Sequence, residues 1–403
     1  MKTKIAGRNL YKIFGGNSEE ALKLLQTGKD KDEIFEATGQ TVGVNGVSFQ
    51  VAEGEIFVVM GLSGSGKSTL VRMINGLIKP SAGEILIDGI DVGTCSDEQL
   101  RRVRREKVAM VFQHFALFPH KTVADNVAFG LKIKGMPAAE RRERAQTALE
   151  QVGLGTRADS YPDELSGGMQ QRVGLARGLA SEPEILLMDE PFSALDPLIR
   201  SDMQQELIEL QRSLKKTIVF ITHDLNEALT LGSTIAIMRN GAIVQTGSAE
   251  EIVGNPADDY VASFTRDIDR SRVFEIDSVT VPAEALKLST ATRAEALAQM
   301  DRLDRDALYV VDDNGRAEGI VTYRQLVSAP SRKDAKDISA YIGREFRTIR
   351  RDAHLNDMYA LATDELPIAV VEGDRLVGIV EPHAVFRKLT ADGEPGVGER
   401  AAP

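Results

Sequence analysis

The nine residues Gly61-Leu62-Ser63-Gly64-Ser65-Gly66-Lys67-Ser68-Thr69 constrain this chain more than any others, because they fit G-x-x-x-x-G-K-[ST] directly after the apolar run IFVVMG (56–61). A strand that enters such a loop and leaves as a helix makes a phosphate cradle. Glycines at 61, 64 and 66 let the backbone curl so that successive amides point at one anion. The helix that follows adds the partial positive charge of its N-terminus. In that frame Lys67 reaches the β- and γ-phosphates of a nucleoside triphosphate and the Ser68 hydroxyl ligates Mg²⁺, with Ser63 and Thr69 completing the cradle.

The next signal is EILLMDE (184–190), a buried-strand pattern closed by Asp189 and Glu190. Two acids at a strand end are weak evidence alone. After a phosphate cradle they are strong: Asp189 is placed to hold Mg²⁺ through water and Glu190 to polarise an attacking water. Two further apolar runs, VAMVFQ (108–113) and TIVFITH (217–223), complete a set that alternates with helical stretches. Continuous apolar strands so spaced predict an α/β domain on a buried parallel sheet, with a helical stretch, 115–165, inserted between two of its strands. Asn240-Gly241, between two apolar runs, predicts a hairpin. Residues 15–40 read as two short amphipathic helices joined by the charged turn 28–32, interrupting the first hairpin of the domain.

Composition then excludes several roles. At 403 residues the chain holds two or three domains. No run approaches the ~18 apolar residues of a membrane span, and the opening MKTKIAGRNLYKIFGG lacks the apolar core of a secretory signal. Membrane association is therefore expected only through a partner. A net charge of −11 argues against nucleic acid; the basic runs 101–107 and 141–144 read as solvated helix faces. Cys95 is the single cysteine and the five histidines show no ligand spacing. These features exclude an internal disulfide and a cysteine metal cluster, and they fit a cytoplasmic setting.

Leu165-Ser166-Gly167-Gly168-Met169-Gln170-Gln171-Arg172, beginning 23 residues (from Ser166) before Asp189, decides the class. Here the chain resembles the ABC ATPases, whose signature is LSGGQ; Met169 replaces the commonest glutamine and Gln170 follows it. The resemblance covers 1–264 and implies a P-loop ATPase domain with a RecA-like core and a helical subdomain. It implies that Ser166, Gly167, Gly168 and Gln170 approach the ATP held by the Lys67 loop of a second copy, in a head-to-tail homodimer. It further implies that Gln113 contacts Mg²⁺ or water and feels the transmembrane permease subunits. Asp196, closing Ser193-Ala194-Leu195-Asp196, crosses the dimer interface. His223 contacts the γ-phosphate, and Phe14 stacks on adenine, core packing being the other reading of Phe14. Glu190 is the expected general base.

The insertion at 15–40 looks like that of the ATP-binding subunits of glycine betaine/proline betaine importers. So does a duplication downstream: ALYVVDDNGRAEGIVTYRQLV (307–327) answers PIAVVEGDRLVGIVEPHAVF (367–386), each copy preceded by a helical pattern (292–300 and 354–362). This α+β pair resembles tandem CBS domains, an accessory of that subfamily. The expected layout is an ATPase domain at 1–264, a linker at 265–278, the CBS pair at 279–390 and a flexible tail at 391–403. The resemblance implies ATP and Mg²⁺ as cofactors, permease subunits as partners and, indirectly, a periplasmic or extracellular substrate-binding protein. It places the chain at the cytoplasmic face of the membrane. Import of another small amino-acid-like solute, or a soluble non-transport ABC ATPase, are the alternatives. The CBS pattern is incomplete: Gln325 follows Thr322, and Ala384 follows Glu381, where the family carries a ribose-binding aspartate. A regulatory or dimer-bracing role is favoured over an adenosine site. Arg344, Arg347, Arg350 and Arg351 offer either a solvated surface or a contact for anionic lipid.

Overall fold

The computed structural model describes residues 2–113, 116–328, 338–361 and 366–390. The chain divides into two compact units, Met1–Ile268 and Asp269–Pro403.

In the first unit the elements run β1 (Thr3–Phe14), α1 (Ser18–Gln26), α2 (Lys31–Thr38), β2 (Thr41–Ala52), β3 (Ile56–Met60) and α3 (Lys67–Ile74). Then come β4 (Ala82–Ile87), β5 (Ile90–Asp91), α4 (Asp97–Glu106), β6 (Val108–Val111), α5 (Val123–Ile133), α6 (Ala138–Gln151) and α7 (Gly167–Leu179). The last set is β7 (Ile185–Asp189), α8 (Pro197–Leu214), β8 (Thr217–Thr222), α9 (Leu225–Leu231), β9 (Thr234–Arg239) and β10 (Ala242–Gly247). A six-stranded sheet has the order β10-β9-β3-β8-β7-β6, parallel apart from β10, beside a four-stranded antiparallel sheet of order β2-β1-β4-β5.

The continuous apolar strands are buried on both faces because side chains alternate between two cores. Ile56, Val58 and Met60 join Leu186, Met188, Ile218 and Phe220 in the core under the helices α5 to α9. Phe57 and Val59 join Ile185, Leu187, Val219 and Ile221 in the other, against α3 and the antiparallel sheet. The α/β fold expected from the sequence is present, as is the hairpin: Asn240 and Gly241 have φ of 52° and 84°, and Ala242 pairs with Arg239.

The insertion forms α1 and α2 between the antiparallel partners β1 and β2. Ile13, Ala21, Ile34 and Val42 give it a small core of its own. Lys31 and Asp32, read as turn, already belong to α2. The cause is Asp30, whose carboxylate accepts from the Asp32 and Glu33 amides at 2.9 Å and starts the helix two residues earlier.

In the second unit each copy of the duplication is a three-stranded sheet. One comprises Leu286–Lys287, Ala307–Val311 and Ala317–Thr322; the other Thr348–Arg350, Ile368–Glu372 and Arg375–Val380. The register is the same in both, with Val310 opposite Gly319 and Val370 opposite Gly378. The two sheets exchange segments: Val281 bridges Ile379 and Gly343 bridges Ile320. This explains the matched glycines. A Cβ on Gly319 would stand 2.2 Å from Ile342 Cγ2, and one on Gly378 2.3 Å from Thr280 Cγ2.

Two expectations change. Residues 265–278 are not an open linker, since Phe274 and Ile276 are buried and Leu355 N donates to Phe274 O at 2.9 Å. Phe274 and Ile276 belong with residues 269–278 to the second unit, whereas Thr265 ends a helix, Asp259–Thr265, and Ile268 packs on the core of the first. The helix expected at 354–362 is a single 3-10 turn, Leu355–Met358. Asn356 and Asp357 disfavour helix interiors, and the Asp357 carboxylate caps the His354 amide locally. The tail at 391–403 lies outside the described residues.

Candidate active site

Strand register sets where the polar residues emerge. Met60 lies beside Thr222, and Asp189 beside Ile221. The next residues, Gly61, His223 and Glu190, therefore leave the sheet at one edge, the carboxyl end where open α/β sheets bind ligands.

The loop from Gly61 to Gly66 has φ of 152°, 79° and 102° at its three expected glycines. At Gly66 no other residue fits, since a Cβ there would stand 2.3 Å from Gly43 O. Gly66 also caps α3 without a side-chain bond, and the first turn carries no acid, which leaves its amides for an anion. Ser63 and Gly64 are exposed on this loop. Lys67 is only 4% exposed. Its ammonium donates to Gly61 O at 2.8 Å and Leu62 O at 3.0 Å and stands 3.9 Å from Glu190 Oε1. Burial pulls the Lys67 pKa down, against Glu190 and Asp189, which hold it up. A buried ammonium beside open amides suits a polyphosphate.

Ser68 Oγ donates to Asp189 Oδ1 at 2.9 Å. Burial pushes the Asp189 carboxyl up, while the Ser68 hydrogen bond and Arg72 pull it down. Among the described residues no cluster of three or more His, Cys, Asp or Glu could hold a metal alone. A hydroxyl and one carboxylate are hard oxygen donors of the kind Mg²⁺ takes when phosphate and water fill its other positions.

Glu190 has φ of +48°, a strained value for a non-glycine residue that is typical of functional turns. Its amide donates to Ile221 O at 3.0 Å and its carbonyl accepts from Ser193 Oγ at 3.0 Å, so the turn is held on both sides. The side chain bridges two partners: Oε1 faces Lys67, and Oε2 is 2.9 Å from His223 Nδ1. Lys67, Ser68, Asp189, Glu190 and His223 thus form one constellation.

Phe14 ends β1 half-exposed. A Cβ on Gly43 would stand 2.7 Å from Phe14 Cε2 and 3.5 Å from Thr69 Cγ2, which puts the ring alongside the phosphate loop. Gln113 is exposed just past β6, where Val111 pairs with Met188 and the chain runs toward the Glu190 edge.

The remaining expected residues gather elsewhere. Among the described residues no hydrogen bond or ion pair joins 166–170 to the phosphate loop. Ser166 caps α7, accepting from Met169 N at 3.4 Å, and Asp196 caps α8, accepting from Ile199 N at 3.1 Å. These two helix starts pack together, since a Cβ on Gly168 would stand 2.5 Å from Ile199 Cγ2. Gly167 is exposed but Gly168 is buried in that contact. Gln170, expected at the nucleotide, donates its amide to Pro162 O at 2.8 Å and Leu165 O at 3.2 Å. The Pro162 carbonyl, at the first residue of a 3-10 turn, also accepts from Leu165 N at 3.2 Å.

Two contributors escaped the sequence reading. Arg72, one turn beyond Ser68 on α3, brings Nη2 to 3.9 Å from Asp189 Oδ2, a contact the i, i+4 spacing could have revealed. The hairpin tip braces the loop, Gly241 N donating to Ser65 O at 3.0 Å and Asn45 N to Gly241 O at 2.8 Å. No local signal announces that support.

A buried sheet with this loop, acid pair and histidine at one edge defines an ATP-binding cassette. The model of the ABC transporter family matches residues 44–193, and that of the CBS domain matches 273–332. The chain is 47% identical, over 97% of its length and 93% of the other's, to a glycine betaine transport ATP-binding protein of Bacillus subtilis. It is 48% identical, over 98% of its length and 99% of the other's, to the glycine betaine/proline betaine transport system ATP-binding protein of Escherichia coli. Among solved structures, a dimeric ATP-binding cassette in a post-hydrolysis state bound to ADP and Pi is 34% identical with a TM-score of 0.51, covering 60% of this chain and 98% of that one. The chain belongs to the family of ATP-binding subunits of glycine betaine ABC transport systems. No described helix is long and apolar enough to cross a membrane.

Proposed function

We propose that this ATP-hydrolysing transporter subunit powers import of a quaternary ammonium osmolyte (glycine betaine, proline betaine or choline) across the cytoplasmic membrane. The observation that carries the catalytic part is the bridge at Glu190, whose two oxygens face the buried Lys67 and His223. Lys67 and the loop amides hold the β- and γ-phosphates. Ser68, Asp189 and Gln113 would hold Mg²⁺, which would supply charge neutralisation at the phosphates. Glu190 takes the proton of the attacking water as the bond from its oxygen to the γ-phosphorus forms and the bond to ADP breaks. His223 fixes Glu190 and steadies the charge on the γ-phosphate. Phe14 supports the adenine.

Two copies act head to tail, each nucleotide lying between the Lys67 loop of one and the Ser166–Gly167 helix start of the other, with Asp196 at the seam. Support comes from the separate clustering of the Ser166 and Lys67 groups within one chain, and from a similar cassette that is dimeric. Dimer closure and reopening drive permease subunits, through which the chain sits at the cytoplasmic face. A periplasmic or extracellular binding protein delivers the cargo without touching this chain. The quaternary amine assignment rests on the relatives named above, which match it along nearly their whole length. The test is uptake of radiolabelled glycine betaine, proline betaine and choline in a strain lacking this chain, with and without complementation. Restored uptake of at least one is expected; unchanged uptake of all three alongside loss of another solute would reassign the cargo.

A further inference from the structure

His223 is mostly exposed, so its own packing does not fix the imidazole opposite Glu190. Its neighbours do. Thr222, the buried last residue of β8, accepts from Asp224 N at 2.9 Å and donates to Glu227 Oε2 at 2.5 Å. Glu227 on α9 is 4% exposed, and its Oε1 is 3.4 Å from Gln204 Nε2 and 3.7 Å from Arg200 Nε. Arg200 on α8 also sends Nη1 to Asp224 Oδ2 at 3.4 Å and Nη2 to Leu195 O at 3.0 Å. One guanidinium therefore touches the carbonyl just before Asp196, the residue after His223, and the acid that holds the residue before it.

A buried carboxylate is costly unless paired, and apolar residues of similar volume serve stability at least as well. What the acid adds is direction. A planar, forked cation likewise fixes the angles between its acceptors in a way that a lysine does not. The stretch 190–196 starts at Glu190, is stitched there by Ser193, and has its far end held by Arg200. We propose that Arg200 and Glu227 are positioning residues for hydrolysis, holding the Leu195 carbonyl and the His223 turn at one spacing so that Glu190 and His223 are presented together. A displacement of Asp196 at the seam between copies is then felt at His223. The inference rests on the Glu190–His223 reading above.

The test uses the full chain, measuring kcat and KM for MgATP, binding of a fluorescent ATP analogue, and thermal melting. Arg200→Gln and Glu227→Gln should each lower kcat about tenfold with nucleotide affinity changed less than about twofold, and the double variant should lose about tenfold rather than a hundredfold, because the pair acts as a unit. Arg200→Lys should recover only part of the loss. If Arg200→Gln fails to fold, the isosteric Glu227→Gln carries the measurement. Wild-type kcat in a folded Glu227→Gln, multiplicative losses in the double variant, or a lowered melting point with unchanged kcat per folded molecule would each overturn the proposal. His223→Ala separates the two ideas: full turnover there sinks the Glu190–His223 reading itself, whereas its loss beside intact Arg200 and Glu227 variants sinks only the positioning role.

Discussion

The cassette and the duplicated second unit are both made of apolar strands, polar turns and short helices, but they dispose their charges in opposite ways. At the cassette edge Lys67 is buried, faces Glu190, and shares its surroundings with Asp189 and Arg72, so no charge there has a private partner. In the second unit the charges pair off at the surface: Arg351 with Asp277 at 2.6 Å, Arg302 with Glu284 at 2.8 Å, Arg316 with Asp374 at 3.0 Å. Even Gln325, standing where the CBS pattern carries a ribose-binding aspartate, is occupied, accepting from Thr322 N and Oγ1 at 2.9 Å. Exposed pairs are screened and contribute little, whereas buried, incompletely matched charges respond strongly to an arriving phosphate.

The comparison breaks most visibly at Glu190. Glu190→Gln removes the proton acceptor but keeps the shape, so phosphate release should fall by about a hundredfold or more, the usual contribution of a general base. ATP binding should persist and a nucleotide-dependent dimer should accumulate on gel filtration. Undiminished phosphate release would transfer the base role to another group. Lys67→Ala comes next. It strips a charged hydrogen-bond donor worth about 1.5–3 kcal/mol, so ATP affinity by calorimetry should weaken roughly ten- to a hundredfold. Equal affinity in the two proteins would mean that the loop amides alone hold the phosphates.

Gly378→Ala probes the other side of the contrast. Its new methyl would meet Thr280 Cγ2 at 2.3 Å and the backbone oxygen of Val281 at 2.9 Å. Overpacking of this kind costs about 1–3 kcal/mol, which chemical denaturation should report, while ATP affinity and turnover stay at wild-type values. A change in turnover would show that the duplicated unit acts on the nucleotide site.

Much of this was legible in the sequence because it is carried by local spacing. The phosphate loop, the acid pair and Asn240-Gly241 each declare themselves within a few residues, and the duplication of 307–327 in 367–386 shows in the repeated pattern, which the structure gives one register in both copies. What escaped depends on which groups the fold leaves for each side chain to satisfy. Gln170 looks like its signature neighbours, and only the fold shows that its amide also donates to the carbonyls of Pro162 and Leu165. Residues 354–362 have a helical pattern, but the Asp357 carboxylate takes the His354 amide and the helix ends after one 3-10 turn. Arg200 and Glu227 lie 27 residues apart, on separate helices, and only the fold brings them together.

Phe14 offers the smallest and finest test. The residue is 41% exposed, yet its ring is seated on Gly43 with Thr69 close by. Lys12 Nζ lies 5.2 Å from the ring centroid, a contact that an aromatic residue keeps and alanine loses. Core packing and base stacking, the two readings of this residue, predict different losses. If the ring only packs, Phe14→Ala should lower the melting point and leave nucleotide affinity alone. If it supports adenine, the variant should keep its melting point within a few degrees and lose about 0.5–1.5 kcal/mol of ATP affinity, two- to tenfold, as expected for one aromatic contact. Phe14→Tyr should then bind as the wild type does, and triphosphate without a base should bind both proteins equally. The second outcome is expected, since a residue kept for packing would have no reason to leave its face open beside Thr69, where the phosphate loop has passed into α3.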